Sequence, residues 1–296
     1  MKYYLVLLLI IITGAAAHAA ELNPLLYKVA ANRTVADTDT VFRKRSISVG
    51  VNYGSDVQFF GRTGPINYPF LSTDVIYNTK TGFFIYGSAV KVIGYDPLVD
   101  EVDLGTGYFY RYNKKVSGTI SYTRFFFTKA AAEVIKSASS NDINFKNSFD
   151  WKIAKTSVTA DYLFGKSSDF FLTFSTSKYI EPTWSIFDDQ DYLSFNPTIS
   201  AIFGTQNFVG KYSKDHINRI ELASVGVTPL EGSPERPYNN GKFNALNYSL
   251  KLPIAYNRPH YTLEASWKYS IPVNVEGELK NRHEVFFNMT FYYLFF

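Results

Sequence analysis

The segment FFNMTFYYLFF, residues 286–296, contains no charge and no proline and ends on Phe296. In water such an apolar, β-prone strand is an aggregation hazard. Its alternation suggests another setting. Phe287, Met289, Phe291, Tyr293 and Phe295 form one continuous apolar face, whereas Phe286, Asn288, Thr290, Tyr292, Leu294 and Phe296 mix polar with apolar. One face suited to lipid and one suited to a mixed interior describes a wall strand of a membrane barrel. There, closure pairs the last strand with the first and leaves no edge.

The same period of two runs through the chain from residue 46. In SISVGVNYGSDVQFF (46–60) the odd positions Ile47, Val49, Val51, Tyr53, Val57 and Phe59 are apolar, and their even neighbours are small or polar. INFKNSFDWKI (143–153), LNYSLKLPIAY (246–256) and YTLEASWKYSI (261–271) repeat the pattern, with Leu246, Tyr248, Leu250, Leu252, Ile254 and Tyr256 as one apolar set. Alternation over ten or more residues means strands with one apolar and one polar face. Strands are expected near 46–59, 70–78, 82–92, 102–112, 116–127, 143–153, 157–165, 169–178, 192–203, 219–228, 243–256, 260–271 and 283–296. A soluble β-sandwich would also alternate. These runs exceed the usual five or six residues of globular strands and match the roughly 9–11 residues of a tilted membrane strand. The composition agrees, at 46% apolar and 18% aromatic without a later continuous apolar stretch.

The thirteen candidates conflict with the even strand number of single-chain bacterial barrels. The weakest is RIELASVGVT (219–228), where the apolar positions change face at Ala223. Without it, twelve strands remain with a long excursion over 204–242; dividing 179–203 would instead give fourteen. The expected fold is therefore all-β: a transmembrane antiparallel up-and-down β-barrel of about 12 strands, range 10–14, over residues 45–296. Tight turns at 78–82, 113–115, 154–156 and 257–259 contrast with longer connections at 60–69, 93–101, 128–142, 229–242 and 272–282. In bacterial barrels short turns face the periplasm and long loops the exterior. Tyr77, Tyr112, Trp151, Tyr256 and Tyr261 fall beside the short turns, where an aromatic girdle would meet the membrane interface.

At the other end, Lys2 precedes an apolar run from Tyr3 to Ile12, then small residues and the A-x-A pattern Ala17-His18-Ala19. Residues 1–20 thus read as a secretory signal peptide cleaved after Ala19 or Ala20, too short to span a bilayer. Residues 21–44 read as a periplasmic lead-in, either disordered or carrying a short plug helix over 24–32 that starts at Asn23-Pro24. There is no cysteine, which excludes disulfides, thiolate metal sites and lipoprotein anchoring. A net charge of +4 argues for no nucleic-acid partner. The expected setting is the bacterial outer membrane, with its lipids as partners.

Catalysis finds little support. His216, His260 and His283 are tied to no serine by any motif, and the last two fall at opposite membrane faces. Asp188, Asp189 and Asp191 of DDQD lack the full calcium-loop pattern, so no metal or cofactor is expected. The inward face, assigned by alternation, carries Asp56, Asp74, Asp103, Asp150, Asp161 and Glu264 against Arg111, Lys146, Lys152, Lys251 and Lys268. Six acids and five bases give no single-sign field, and no strong ion selectivity is expected. They line either a water-filled channel for small neutral or zwitterionic solutes or a narrow lumen filled by paired side chains.

A terminal strand ending in Phe, with Tyr292 and Leu294 at alternating positions, resembles the signal read by the outer-membrane assembly machinery. This resemblance implies that machinery as a partner and assigns Tyr292, Leu294 and Phe296 to its recognition; it favours their face over the Phe287–Phe295 face for the lipid, so the register of the last strand stays open. GSDVQFFGRTG (54–64) and TGFFIYGSAVKV (81–92) resemble the opening hairpins of TorF-type porins. The expected function is a narrow, weakly selective porin-like channel for small solutes. Alternatives are a structural or adhesion barrel acting through its loops, or a barrel-embedded hydrolase.

Overall fold

The computed structural model describes residues 45–58, 60–61, 67–94, 98–127, 139–165, 168–182, 185–188, 190–207, 242–274 and 283–296. The signal peptide, the lead-in, His216, Asp189 and the candidate strand 219–228 lie outside them. The strand segments are Ser46–Gly54 (β1), Phe70–Asn78 (β2), Phe83–Val92 (β3), Glu101–Arg111 (β4), Val116–Phe127 (β5), Ser139–Asp150 (β6) and Lys155–Gly165 (β7). They continue as Ser168–Ser177 (β8), Tyr192–Phe195 (β9), Thr198–Gly204 (β10), Asn244–Asn257 (β11), Tyr261–Pro272 (β12) and Glu284–Phe295 (β13).

Every pairing between these strands is antiparallel. β1 pairs with β2 on one side and with β13 on the other, with Val49 opposite Tyr293, which closes the sheet. At the far seam β10 bridges β8 and β11. β9 pairs with Ile254–Asn257 at one end of β11, and β10 with the rest of that strand, so both belong to one stave. The interruption falls at Asn196-Pro197, where proline offers no N–H to the ladder. Thirteen segments therefore build a closed barrel of twelve staves, the expected number.

Both ends of the barrel sequence, Ser46 and Phe295, lie at one mouth, called here the terminal mouth. The turns after β2, β4, β6 and β11 are also there and are closed by backbone bonds such as Trp151 N to Ala154 O, 2.9 Å. The long connections after β1, β3, β5, β10 and β12 lie at the opposite, distal mouth.

Alternation sorts the side chains as expected from period two. Outward-facing Val75, Ile85 and Ile199 are 51%, 60% and 58% exposed, while inward-facing Asp74, Ser88 and Glu264 are 3%, 6% and 4% exposed. The apolar outer face is a wall built for lipid rather than water. In β13 the continuous apolar set Phe287 to Phe295 points outward, and Phe286, Tyr292 and Leu294 are buried inside. Phe296 lies beyond the ladder and is exposed, its ring edge-on to His260.

Three sequence expectations need correction. Strand β1 ends at Gly54 and not at residue 59, because the chain turns inward: the Asp56 carboxylate accepts the Tyr68 amide at 2.7 Å. Leu246 is fully buried and not on the lipid face, because the ladder register shifts between Ile202 and Phe203 and turns it inside. Lys152 is not on the wall. It sits at φ 72° in the turn between β6 and β7, with its amide bonded to Asp150.

Candidate functional site: the lumen

The inner wall combines small polar residues, charges and aromatic rings laid against glycines. Gly50 faces Tyr292, Gly54 faces Phe70, Gly105 faces Tyr86, Gly107 faces Phe84 and Gly204 faces Phe171, and a Cβ on each glycine would overlap its ring. These five pairs share one device. A missing side chain leaves a recess, and the neighbouring ring lies along the wall instead of standing into the lumen. The Tyr86 ring is held further by a hydrogen bond between its hydroxyl and that of Thr123, two strands away.

Of the sequence-predicted lining residues, Asp74, Asp103, Lys146, Asp161, Lys251, Glu264 and Lys268 occupy inward positions on the wall. Arg111 and Asp150 share that parity at exposed strand ends by the terminal mouth. Asp56 belongs to the β1–β2 connection, whose base it fastens.

The charges are not mixed evenly. Asp74 (β2), Asp103 (β4), Asp142 (β6) and Asp161 (β7) form an arc over half of the twelve staves. Along it Asp74 is within electrostatic reach of Asp103, and Asp142 of Asp161. Lys251 and Lys268 stand on the other side, on β11 and β12, directly opposite one another in the ladder. Lys251 Nζ is 3.6 Å from Glu264 Oε1, and Lys268 donates to Gln58 Oε1 at 2.9 Å. Asp161 accepts a hydrogen bond from Asn144 at 2.6 Å. Asp74 faces the Ser88 hydroxyl across the ladder and Asp103 bonds the Glu101 carboxyl, while one oxygen each of Asp103 and Asp142 is buried without a hydrogen-bond partner.

Across the distal end of this wall runs the β1–β2 connection. Ser55 and Phe287 exchange two bonds of 2.9 Å at its start, and Val57 N reaches Tyr68 O at 3.1 Å. Phe60, at φ 47° and followed by Gly61 at φ 77°, then stacks on Phe171 with centroids 3.7 Å apart and an interplanar angle of 6°. Leu163, Ile202 and Leu246 complete that cluster. The loop leaves β1 and docks on β7, β8, β10 and β11, so it crosses the lumen from one side to the other.

The remaining candidates fall outside the lumen. Tyr77, Tyr112, Trp151, Tyr256 and Tyr261 all lie at the terminal mouth, and Trp151 Nε1 donates to Thr156 at 2.9 Å. His260 and His283 sit at opposite mouths; the ring of the first stacks on Tyr293, and Nδ1 of the second is 2.6 Å from the Tyr269 hydroxyl. In DDQD, protein donors engage Asp188 and Asp191. Arg258 bonds Asp188 at 2.6 Å, while Asp191 accepts the amides of Ile186 (2.7 Å) and Phe187 (2.9 Å) and the Tyr256 hydroxyl (3.0 Å). Burial pushes the Asp191 carboxyl up, but these bonds outweigh it and hold it below the ordinary carboxylate range. This is a loop clasp, and its oxygens are spent on it.

Sequence reasoning missed Asp142 and the inward rings. Asp142 shares the parity of Asn144 and Lys146, so running the alternation two residues further back would have included it. Aromaticity alone does not announce a glycine across the ladder, so the inward seats of Phe84, Tyr86 and Phe171 emerge only from the structure.

No protein-family model and no curated protein sequence matches the chain. The solved structures to which it is similar include the KdgM porin, with a TM-score of 0.47 and 7% identity over 84% of this chain and 99% of that one. The NanC porin gives a TM-score of 0.44 and 11% identity over 83% and 98% of the respective chains. LpxR from Salmonella typhimurium gives a TM-score of 0.43 and 8% identity over 84% and 100%.

Proposed function

We propose that the chain is a narrow pore of the bacterial outer membrane that passes small polar solutes, reached through a cleaved signal peptide and inserted by the outer-membrane assembly machinery. The observation that carries this reading is the closed barrel of twelve staves whose outer face is apolar and whose inner face is lined by small polar and charged residues, as a water-filled passage requires. The rings that lie flat over glycines keep the wall low and favour the same hydrated passage. The inward-docked β1–β2 connection sets its narrowest point. Among the described residues His260 and His283 lie at opposite mouths and each is engaged by its neighbours, which supports transport over catalysis.

Purified protein in planar bilayers should give discrete conductance steps. With no native cysteine, Ser88→Cys on the inner face should let a water-soluble thiol reagent shrink those steps, while Val75→Cys on the outer face should not. Folded protein that leaves the bilayer sealed would refute the reading.

A further inference from the structure

We propose a binding site on the outer face of the wall, centred on Arg124, for the phosphate of a phosphorylated lipid in the leaflet at the distal mouth. It rests on the wall spanning a membrane and not on whether the lumen conducts. Arg124 lies on β5 with the parity of Ile120 and Tyr122, which are 47% and 40% exposed on the lipid-facing side. Its own side chain is exposed there. Across the two ladders it meets Leu104 on β4, 53% exposed, and Asn141 on β6. Arg124 stands eight residues from Val116, the terminal end of β5, or roughly 20 Å along the membrane normal at about 3.3 Å per residue and a tilt near 40°. The apolar band of such a barrel is about 25 Å tall. The guanidinium therefore sits near the distal rim of the band, where lipid headgroups begin.

The wall positions this charge without neutralising it. Arg124 Nη1 donates to Asn141 Oδ1 at 2.8 Å, and Cζ lies 5.6 Å from the centre of the Phe126 ring. The Tyr122 hydroxyl donates to the same Asn141 oxygen at 2.8 Å. Asn141 is 7% exposed and is fixed in turn by its amide group, which donates to Phe164 O at 3.1 Å. Among the described residues no carboxylate engages Arg124. Two other bases by the outer face are paired: Lys91 with Asp100 at 3.3 Å, and Arg258 with Asp188 at 2.6 Å. A guanidinium carries five N–H donors, of which Asn141 takes one. The rest face lipid, where an unsatisfied donor is costly. A phosphate supplies both acceptor and counter-charge, and its oxygens match the guanidinium fork two at a time. Ile120 and Ile143, exposed on the same face, give its acyl chains an apolar surface to lie on. That surface selects a lipid over a soluble anion.

The test is lipid binding by the full-length protein in detergent micelles, followed by native mass spectrometry. Diphosphorylated lipid A is the probe, and the same lipid stripped of its phosphates is the control. The parent protein should hold the phosphorylated lipid about tenfold more tightly or better, the scale of one charge-assisted hydrogen-bonded pair. Arg124→Gln should bring the two affinities together, whereas Arg124→Lys should keep part of the preference. Asn141→Asp, which hands the guanidinium a carboxylate of its own, should erase it as well. Heat-modifiable gel mobility checks that each variant is folded; if none folds, the comparison of the two lipids on the parent protein decides. Equal affinity for the two lipids, or a preference that Arg124→Gln leaves intact, would overturn the site. Inorganic phosphate at the lipid's concentration should displace nothing, and displacement would overturn the assignment to a lipid in favour of a soluble anion.

Discussion

Replacing Phe60 by alanine should release the connection that crosses the lumen while leaving the barrel standing. The ring is 5% exposed, stacks at 3.7 Å on the fully buried Phe171 and closes the cluster with Leu163, Ile202 and Leu246. Truncating a buried phenylalanine costs about 3–5 kcal/mol, of which ring stacking accounts for roughly 0.5–1.5. Position 60 holds φ 47°, a left-handed conformation that alanine bears no more easily than phenylalanine. The docked loop therefore loses about 3 kcal/mol, a shift toward release of roughly 150-fold at 1.4 kcal/mol per decade. Phe60→Gly loses the same ring but gains about 1 kcal/mol of backbone relief, so its effect should be smaller. None of the ladders includes Phe60, so the heat-modifiable gel mobility of a folded barrel should persist. Hydrogen exchange reads the docking directly through the amides of Val57 and Tyr68, which the docked loop bonds to Tyr68 O and Asp56. Both should exchange far faster in Phe60→Ala, and single-channel steps should become larger and noisier. Exchange at those two amides identical to that of the parent protein, with the barrel folded, would refute the assignment of Phe60 as the loop's anchor.

Two further substitutions probe the wall and the terminal mouth. Gly105→Val fills the recess under Tyr86, forces the ring off the wall and should shrink the conductance step of the folded protein; an unchanged step would mean the ring does not border the passage. Asp191→Asn should speed exchange at the amides of Ile186 and Phe187 at neutral pH. Because the folded Asp191 carboxyl is held below its unfolded value, the clasp is fully present above the ordinary carboxylate range and is lost only as pH falls through the folded value. Lowering pH from about 7 to about 5 should thus leave protection, corrected for intrinsic rates, unchanged in the parent protein, and loosening in that interval would contradict the clasp.

Fold and location of the wall were legible because a strand's side-chain period is local and lipid demands a nearly pure apolar face. FFNMTFYYLFF leaves its orientation open in the sequence, since polarity favours Phe287, Met289, Phe291, Tyr293 and Phe295 as the lipid face whereas the terminal-Phe signal favours Tyr292, Leu294 and Phe296. The structure turns the first set outward. Strand number followed once RIELASVGVT was set aside, and YLSFNPTISAIF (192–203) reads as one stave even though Pro197 splits it into two segments. Alternation could not foresee where the pattern breaks for reasons elsewhere in space. Leu246 points inward because its partner strand shifts register at Ile202, and DVQFF leaves the wall because Asp56 captures the amide of Tyr68, twelve residues on. Nor could it weigh the charges. Asp74, Asp103, Asp142 and Asp161 are scattered over 88 positions of sequence, and only the pairing of strands sets them on one side of the barrel, with Lys146 among them and Lys251 and Lys268 on the opposite wall. A strand's face depends on its neighbours in sequence, so the chain alone determines it. A field inside the lumen depends on which strands become neighbours around the circle, and that the tertiary structure decides.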